Sequence, residues 1–244
     1  MWCCIAALVI FQQGFNYSQD GPGNRLGYHL AGCNMRCLWC SNPEGISGGG
    51  ESVTVEEMVR FAQSCRPMFF DGGGVTLTGG EPTMQFGGVS AFLALLRTAG
   101  IHAAMETNGT HERLPELFGL IDHLIMDCKH YDSGTHKRFT KCGNETVFQN
   151  IRTAADTGKP LHIRIPLIDG FNASTQDIDG FVEAFTDIDT TGFDFEFLPY
   201  HELGKGKWEQ NHMEYSMSPA FVSEETVAAF TGAFEQAGLK VIKS

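Results

Sequence analysis

Gly74-Val75-Thr76-Leu77-Thr78-Gly79-Gly80-Glu81-Pro82 is a short run of β-favouring residues that stops at two glycines, a carboxylate and a proline. Residue types that suit a half-buried pleated surface end here in turn formers, so the run predicts a strand that delivers a polar turn. The pattern recurs along the chain. Strands are predicted at 5–11, 26–30, 74–78, 102–106, 123–127, 161–166, 193–198 and 239–242, and helices at 55–64, 89–99, 114–118, 146–157, 175–185 and 223–236. Short strands alternating with longer helices imply a parallel sheet with helical crossovers. About six such units predict an α/β fold, a partial (β/α)6 TIM-type barrel.

In that architecture the chemistry gathers where strands end. Gly79-Gly80-Glu81-Pro82, Glu106-Thr107-Asn108-Gly109 and Asp127-Cys128-Lys129-His130 follow three strands; Arg164 lies in another, and His201 follows the last. A doubly wound sheet would instead concentrate its ligand groups at one switch point. Side chains alternate along a strand, so Asp127 and Lys129 share one face and Cys128 takes the other, as a buried structural thiol. His162 and Arg164 likewise share a face opposite Ile163 and Ile165. Helix signals agree: Thr54 and Ser223 precede acidic first turns as N-caps, and Gly100 and Gly238 follow helical stretches.

Composition narrows the function. The 244 residues are 42% apolar and 19% charged, which excludes collagenous and disordered classes. With 17 basic and 29 acidic residues the net charge is −12, a poor basis for binding nucleic acid or an anionic membrane. The run at 5–11 is far short of the ~20 apolar residues of a membrane helix and lacks signal-peptide flanks. The expectation is a cytoplasmic protein, one domain over 1–244, monomeric, with no nucleic acid and no membrane as partner.

Three of the eight cysteines fall in one stretch, Cys33-Asn34-Met35-Arg36-Cys37-Leu38-Trp39-Cys40, directly after a predicted strand. Soft thiolates at C-x3-C-x2-C spacing suit iron–sulfur, zinc or Cu(I). Structural zinc usually takes four ligands and often two separated pairs, and no second C-x2-C exists here. Three cysteines on a four-iron cubane leave one iron open for a ligand. Cys3, Cys4, Cys65 and Cys142 have no motif support and read as free thiols.

This spacing, with Trp39 before the last cysteine and Gly-Gly-Glu-Pro ending the next strand, resembles the radical S-adenosylmethionine (SAM) superfamily. More narrowly, the chain is similar to glycyl-radical-enzyme activating enzymes, of which pyruvate formate-lyase activase is the best known. The resemblance rests on Asp20-Gly21-Pro22-Gly23-Asn24-Arg25, Ser41-Asn42-Pro43-Glu44, Asp127-Cys128-Lys129-His130, Arg164-Ile165-Pro166 with Gly170-Phe171-Asn172, and Pro199 through Lys207. It covers nearly the whole chain.

The resemblance implies a [4Fe–4S] cluster on Cys33, Cys37 and Cys40 that binds SAM at the open iron. Reductive cleavage would yield a 5′-deoxyadenosyl radical, which takes a hydrogen from a glycine Cα of a partner glycyl radical enzyme. Reduced flavodoxin or ferredoxin is the implied electron donor. SAM contacts would come from Trp39, Ser41, Gly79, Gly80, Glu81, Glu106, Asp127, Lys129, Arg164 and His201. The glycines would admit the ligand to the backbone, and Lys129 would meet a carboxylate. Arg164 fits either a ligand contact or a buried ion pair, Trp39 either an adenine contact or core packing, and His201 either a ligand contact or a capping residue. The loop Asp20, Gly21, Pro22, Gly23 and Arg25 would meet the partner's glycine-bearing peptide.

Two departures stand out. Between Cys40 and Thr54 lie 13 residues without cysteine, so the ferredoxin-like insert of many activators is absent. Asp-Cys-Lys replaces the usual Asp-Leu-Lys, and Glu106 stands where an aspartate is usual, which removes support for an inherited cation site. The alternatives are a radical SAM enzyme acting on a small molecule, of deazapurine synthase type, and a zinc-stabilised binding module without turnover.

Overall fold

The computed structural model describes residues 6–243. In chain order it contains β1 (Ala7–Tyr17), β2 (Asn24–Leu30), α1 (Glu44–Ser47), β3 (Glu51–Thr54), α2 (Val55–Ser64), β4 (Gly74–Gly79), α3 (Phe86–Thr98), β5 (Ala103–Thr107), β6 (His123–Asp127), α4 (Ser133–Thr140), α5 (Glu145–Asp156), β7 (Leu161–Leu167), α6 (Thr175–Phe185), β8 (Phe193–Pro199), α7 (Lys205–Gln210) and α8 (Glu224–Gln236). The strands form an open, mostly parallel sheet in the order β3-β1-β2-β4-β5-β6-β7-β8. β4 is parallel to β2 and β5, and β7 to β8; β1 is antiparallel to β2 and β3. This is the α/β class expected from the alternation of strands and helices. Among the described residues no helix is long and apolar enough to cross a membrane.

The chain divides into two compact units, one of residues 6–34, 42–107 and 116–125, the other of 35–41, 108–115 and 126–243. In the first, α2 buries Val55, Met58, Val59 and Ala62, and α3 buries Val89, Phe92, Leu93 and Leu96. Both sets follow the i, i+3, i+4, i+7 spacing of one helical face. Tyr28 of β2 meets Phe92 edge-on, with ring centroids 5.7 Å apart. Thr54 caps α2 with a reciprocal box, accepting from Glu57 N–H while the Glu57 carboxylate accepts from the Thr54 backbone.

In the second unit an aromatic layer joins β8 to α6 and α8. Phe195 packs edge-on to Phe185 and Phe234 at 4.9 and 5.3 Å, and Phe197 to Phe230 and Phe234 at 5.5 and 4.9 Å. Ser223 caps α8 by accepting from Thr226 N–H.

Several expectations shift. The first strand runs six residues further than expected, to Tyr17, because it closes a hairpin with β2; its Ile5, like Cys3 and Cys4, lies outside the described residues. The segment at 239–242 is not a full strand: Val241 makes a single parallel bridge to Phe195. The helix expected at 114–118 is a 3-10 segment, Leu114–Leu120. The edge strand β3 and helices α4 and α7 were not expected, since their sequences lack a clear apolar period.

Candidate functional site

The C-terminal ends of β2 and β4 are tied together backbone to backbone. Gly80 N–H donates to Leu30 C=O and Glu81 N–H to Gly32 C=O, both at 2.8 Å, and Gly32 N–H donates to Gly45 C=O at 2.7 Å. A Cβ on Gly79 would sit 2.7 Å from His29 Cα, and one on Gly80 would collide with the Gly32 carbonyl. Gly79 also takes φ +103°, which side chains rarely adopt. The two glycines therefore serve a close approach of backbone to backbone, immediately before Cys33.

Three carboxylate-bearing positions have definite partners. Glu81 is buried, and its Oε1 accepts from Thr83 N–H, Thr83 Oγ1 and Thr107 Oγ1 at 3.0, 2.6 and 2.7 Å. Through Oε1 it caps the turn after β4. Glu106, half-buried, accepts from Thr78 Oγ1 at 2.6 Å. In the second unit Lys129 Nζ pairs with Asp127 at 2.6 Å, both side chains mostly buried.

The motif Gly170-Phe171-Asn172 supports Lys129. Buried Asn172 donates to Lys129 C=O at 2.8 Å and to Pro166 C=O at 2.6 Å, and accepts from Ile168 N–H. Asn172 thus fixes the ends of β6 and β7, a role that its place in the motif signalled without specifying. Phe171 packs on Trp39 with centroids 4.7 Å apart, so Trp39 is half-buried against the cluster of Ile168, Phe171, Tyr200 and Ala220.

Arg164 forms a buried ion pair. Its Nε donates to Glu196 at 2.8 Å, and Glu196 also meets His162 Nε2 at 2.9 Å; His162 Nδ1 meets Asp194. Burial would lower the His162 pKa, but the two carboxylate hydrogen bonds outweigh it and raise it. His201 is exposed, and its Nδ1 accepts from Leu203 N–H at 3.3 Å, closing a turn. Cys128 is buried as expected, and burial first, then Asp127, pushes its thiol up to about 12.

The Asp20–Gly23 loop lies at the N-terminal end of β2, whereas Cys33 follows the C-terminal end. The seven residues of β2 separate them by roughly 20 Å. Arg25 does not present its side chain with the loop. It is fully buried, donating to Pro22 C=O at 3.0 Å and to Thr76 Oγ1 and Val75 C=O at 2.5 Å. Burial lowers its pKa to about 10, still well above neutral pH.

Of the three cysteines, Cys37 is buried and Cys33 and Cys40 are half-buried. The Cys40 amide donates to Cys37 C=O at 3.2 Å, and Arg36 N–H to Thr140 C=O at 2.7 Å. Three cysteines within one short loop are the donor type that an iron–sulfur cluster takes. Among the described residues no group of three or more His, Cys, Asp or Glu is gathered to hold a metal ion.

Residues 28–182 match the radical SAM superfamily. The chain is 34% identical over 209 residues to a pyruvate formate-lyase-activating enzyme of Staphylococcus aureus, covering 81% of this chain and 83% of that one. A solved domain of the pyruvate formate-lyase-activating enzyme of Bacteroides vulgatus superposes with a TM-score of 0.59 at 30% identity, over 71% of this chain and 99% of that one. A radical SAM methyltransferase of Sphaerobacter thermophilus shares the fold alone, with a TM-score of 0.66 at 15% identity over 95% of this chain and 72% of that one. Superfamily members use a [4Fe–4S] cluster and SAM. By sequence identity, coverage and fold together, this chain belongs to the radical SAM superfamily and, within it, to the family of pyruvate formate-lyase-activating enzymes.

Proposed function

We propose that this protein is the activase of a glycyl radical enzyme. The backbone lock of the Gly79–Gly80–Glu81 turn on Leu30 and Gly32 carries the reading, because it fixes the entry to the cysteine loop in a chain of this family. Cys33, Cys37 and Cys40 would hold the cluster. When bound, the reduced cluster and SAM supply a 5′-deoxyadenosyl radical able to take hydrogen from a glycine Cα.

The chain's own residues orient and enclose. Lys129, set by Asp127 and Asn172, offers a positive charge suited to the SAM carboxylate. Trp39 and Ser41 flank the last cysteine and would meet the adenosine part, with His201, Glu106 and the turn at Gly79–Gly80 as further contacts. Arg164 acts through Glu196, holding a charged layer on β7 and β8. The Asp20–Gly23 loop would hold a partner segment that flanks the glycine, since it lies a strand's length from Cys33. A reduced flavodoxin or ferredoxin would supply the electron, to a monomer in the cytoplasm.

The test is anaerobic reconstitution and reduction, with SAM, with and without a purified glycyl radical enzyme. We expect 5′-deoxyadenosine by chromatography and a glycyl radical signal by electron paramagnetic resonance, both lost in Cys37→Ala. A protein that binds zinc in place of the cluster, or an intact cluster that yields neither product with partner present, would overturn the proposal.

A further inference from the structure

Cys40 is held by both of its main-chain polar groups. Its amide donates to Cys37 C=O, and its carbonyl accepts from the indole N–H of Trp208 at 2.9 Å. Trp208 lies 168 residues away in α7 and is buried. The start of α7 rests on the same stretch: a Cβ on Gly204 would sit 2.6 Å from Ser41 Cα and 3.0 Å from Cys40 O.

Trp208 is itself fixed. Tyr215 packs edge-on against it at 5.5 Å, and the Tyr215 hydroxyl meets the Tyr200 hydroxyl at 2.6 Å. Tyr200 belongs to the core cluster on which Trp39 packs. The peptide before Cys40 is therefore gripped through Trp39 and the peptide after it through Trp208. A trans peptide is planar, so a pinned carbonyl also sets the direction of the Ser41 N–H and limits rotation at the Cys40 Cα.

We infer that Trp208 is a positioning residue for the last cluster cysteine. It holds the Cys40 main chain in the ligating arrangement before iron arrives. The inference rests on the proposed cluster role of Cys40, but its experiment reads the two separately. Trp208→Phe keeps an aromatic ring against Tyr215 and deletes the donor.

In the reconstituted holoenzyme we expect iron loss to a chelator to quicken about fivefold, the factor one neutral hydrogen bond is worth. In the cluster-free protein, amide hydrogen exchange of the peptide spanning Cys40 should quicken similarly, with exchange in β7 and β8 unchanged. A folded variant with wild-type iron release and wild-type exchange overturns the inference. Should Trp208→Phe fail to fold, the wild type decides: its Trp208 indole proton must be protected from exchange, and an indole proton exchanging like that of free tryptophan overturns it. If the wild type takes up no iron, the activase reading fails, and the exchange measurements still decide whether the clamp exists.

Discussion

Arg25 and His162 show how burial assigns roles that residue type leaves open. Arg25 belongs by sequence to a partner-facing loop, yet its guanidinium is fully buried and donates to the carbonyls of Pro22 and Val75. His162 sits between two carboxylates, with Arg164 sharing one of them and Lys240 3.8 Å from the other. Its folded pKa is raised, so its contribution to stability is complete below its unfolded value of ~6.5 and is lost as pH rises through the folded one. We therefore expect His162→Gln to cost about 1.5–3 kcal/mol at pH 6, the range for hydrogen bonds to charged groups, and less at pH 9. Thermal melts across that window check this; parallel curves for wild type and variant would refute it.

At the scale of elements, β8 with α6 and α8 carries the densest aromatic packing. Phe234 touches both Phe195 and Phe197 and is fully buried. Phe234→Ala removes a large side chain from a site whose neighbours are themselves rigid rings, and we expect a loss of about 3–5 kcal/mol by denaturant titration. A loss below about 1 kcal/mol would mean that the layer collapses around the gap. The capped helices were legible because their signals are local: Thr54 with Glu57, and Ser223 before two glutamates. α4 was not, since Ser-Gly-Thr-His-Lys-Arg-Phe-Thr carries little apolar pattern and depends on Asp132 accepting from Thr135 N–H. β3 carries no such signal, because an exposed edge strand needs only backbone partners, here from β1.

At the scale of the whole molecule, the separation of the Asp20 loop from the start of the cysteine loop makes docking and chemistry experimentally separable. Asp20 accepts from Asn16 Nδ2 of β1 at 2.6 Å, and its carbonyl accepts from Thr76 Oγ1 of β4, so the loop is tied to both strands. We expect Asp20→Ala to raise the partner concentration needed for half-maximal glycyl radical formation severalfold. Uncoupled 5′-deoxyadenosine formation should fall by less. Equal effects on both would remove the docking role.

Sequence alone determined the α/β class, the cysteine loop and the polar strand ends, because each is written in short-range patterns: alternation, caps, and spacings of a few residues. Tertiary structure decided what those residues touch. The glycines after β4 meet backbone, Glu81 caps a turn, Arg164 pairs with Glu196, and Arg25 is buried. Asn172 and Trp208 gained their roles the same way, from carbonyls 43 and 168 residues distant. Hydrogen bonds at such separations exist only once the chain has folded, and no local pattern encodes which carbonyl a buried donor will find.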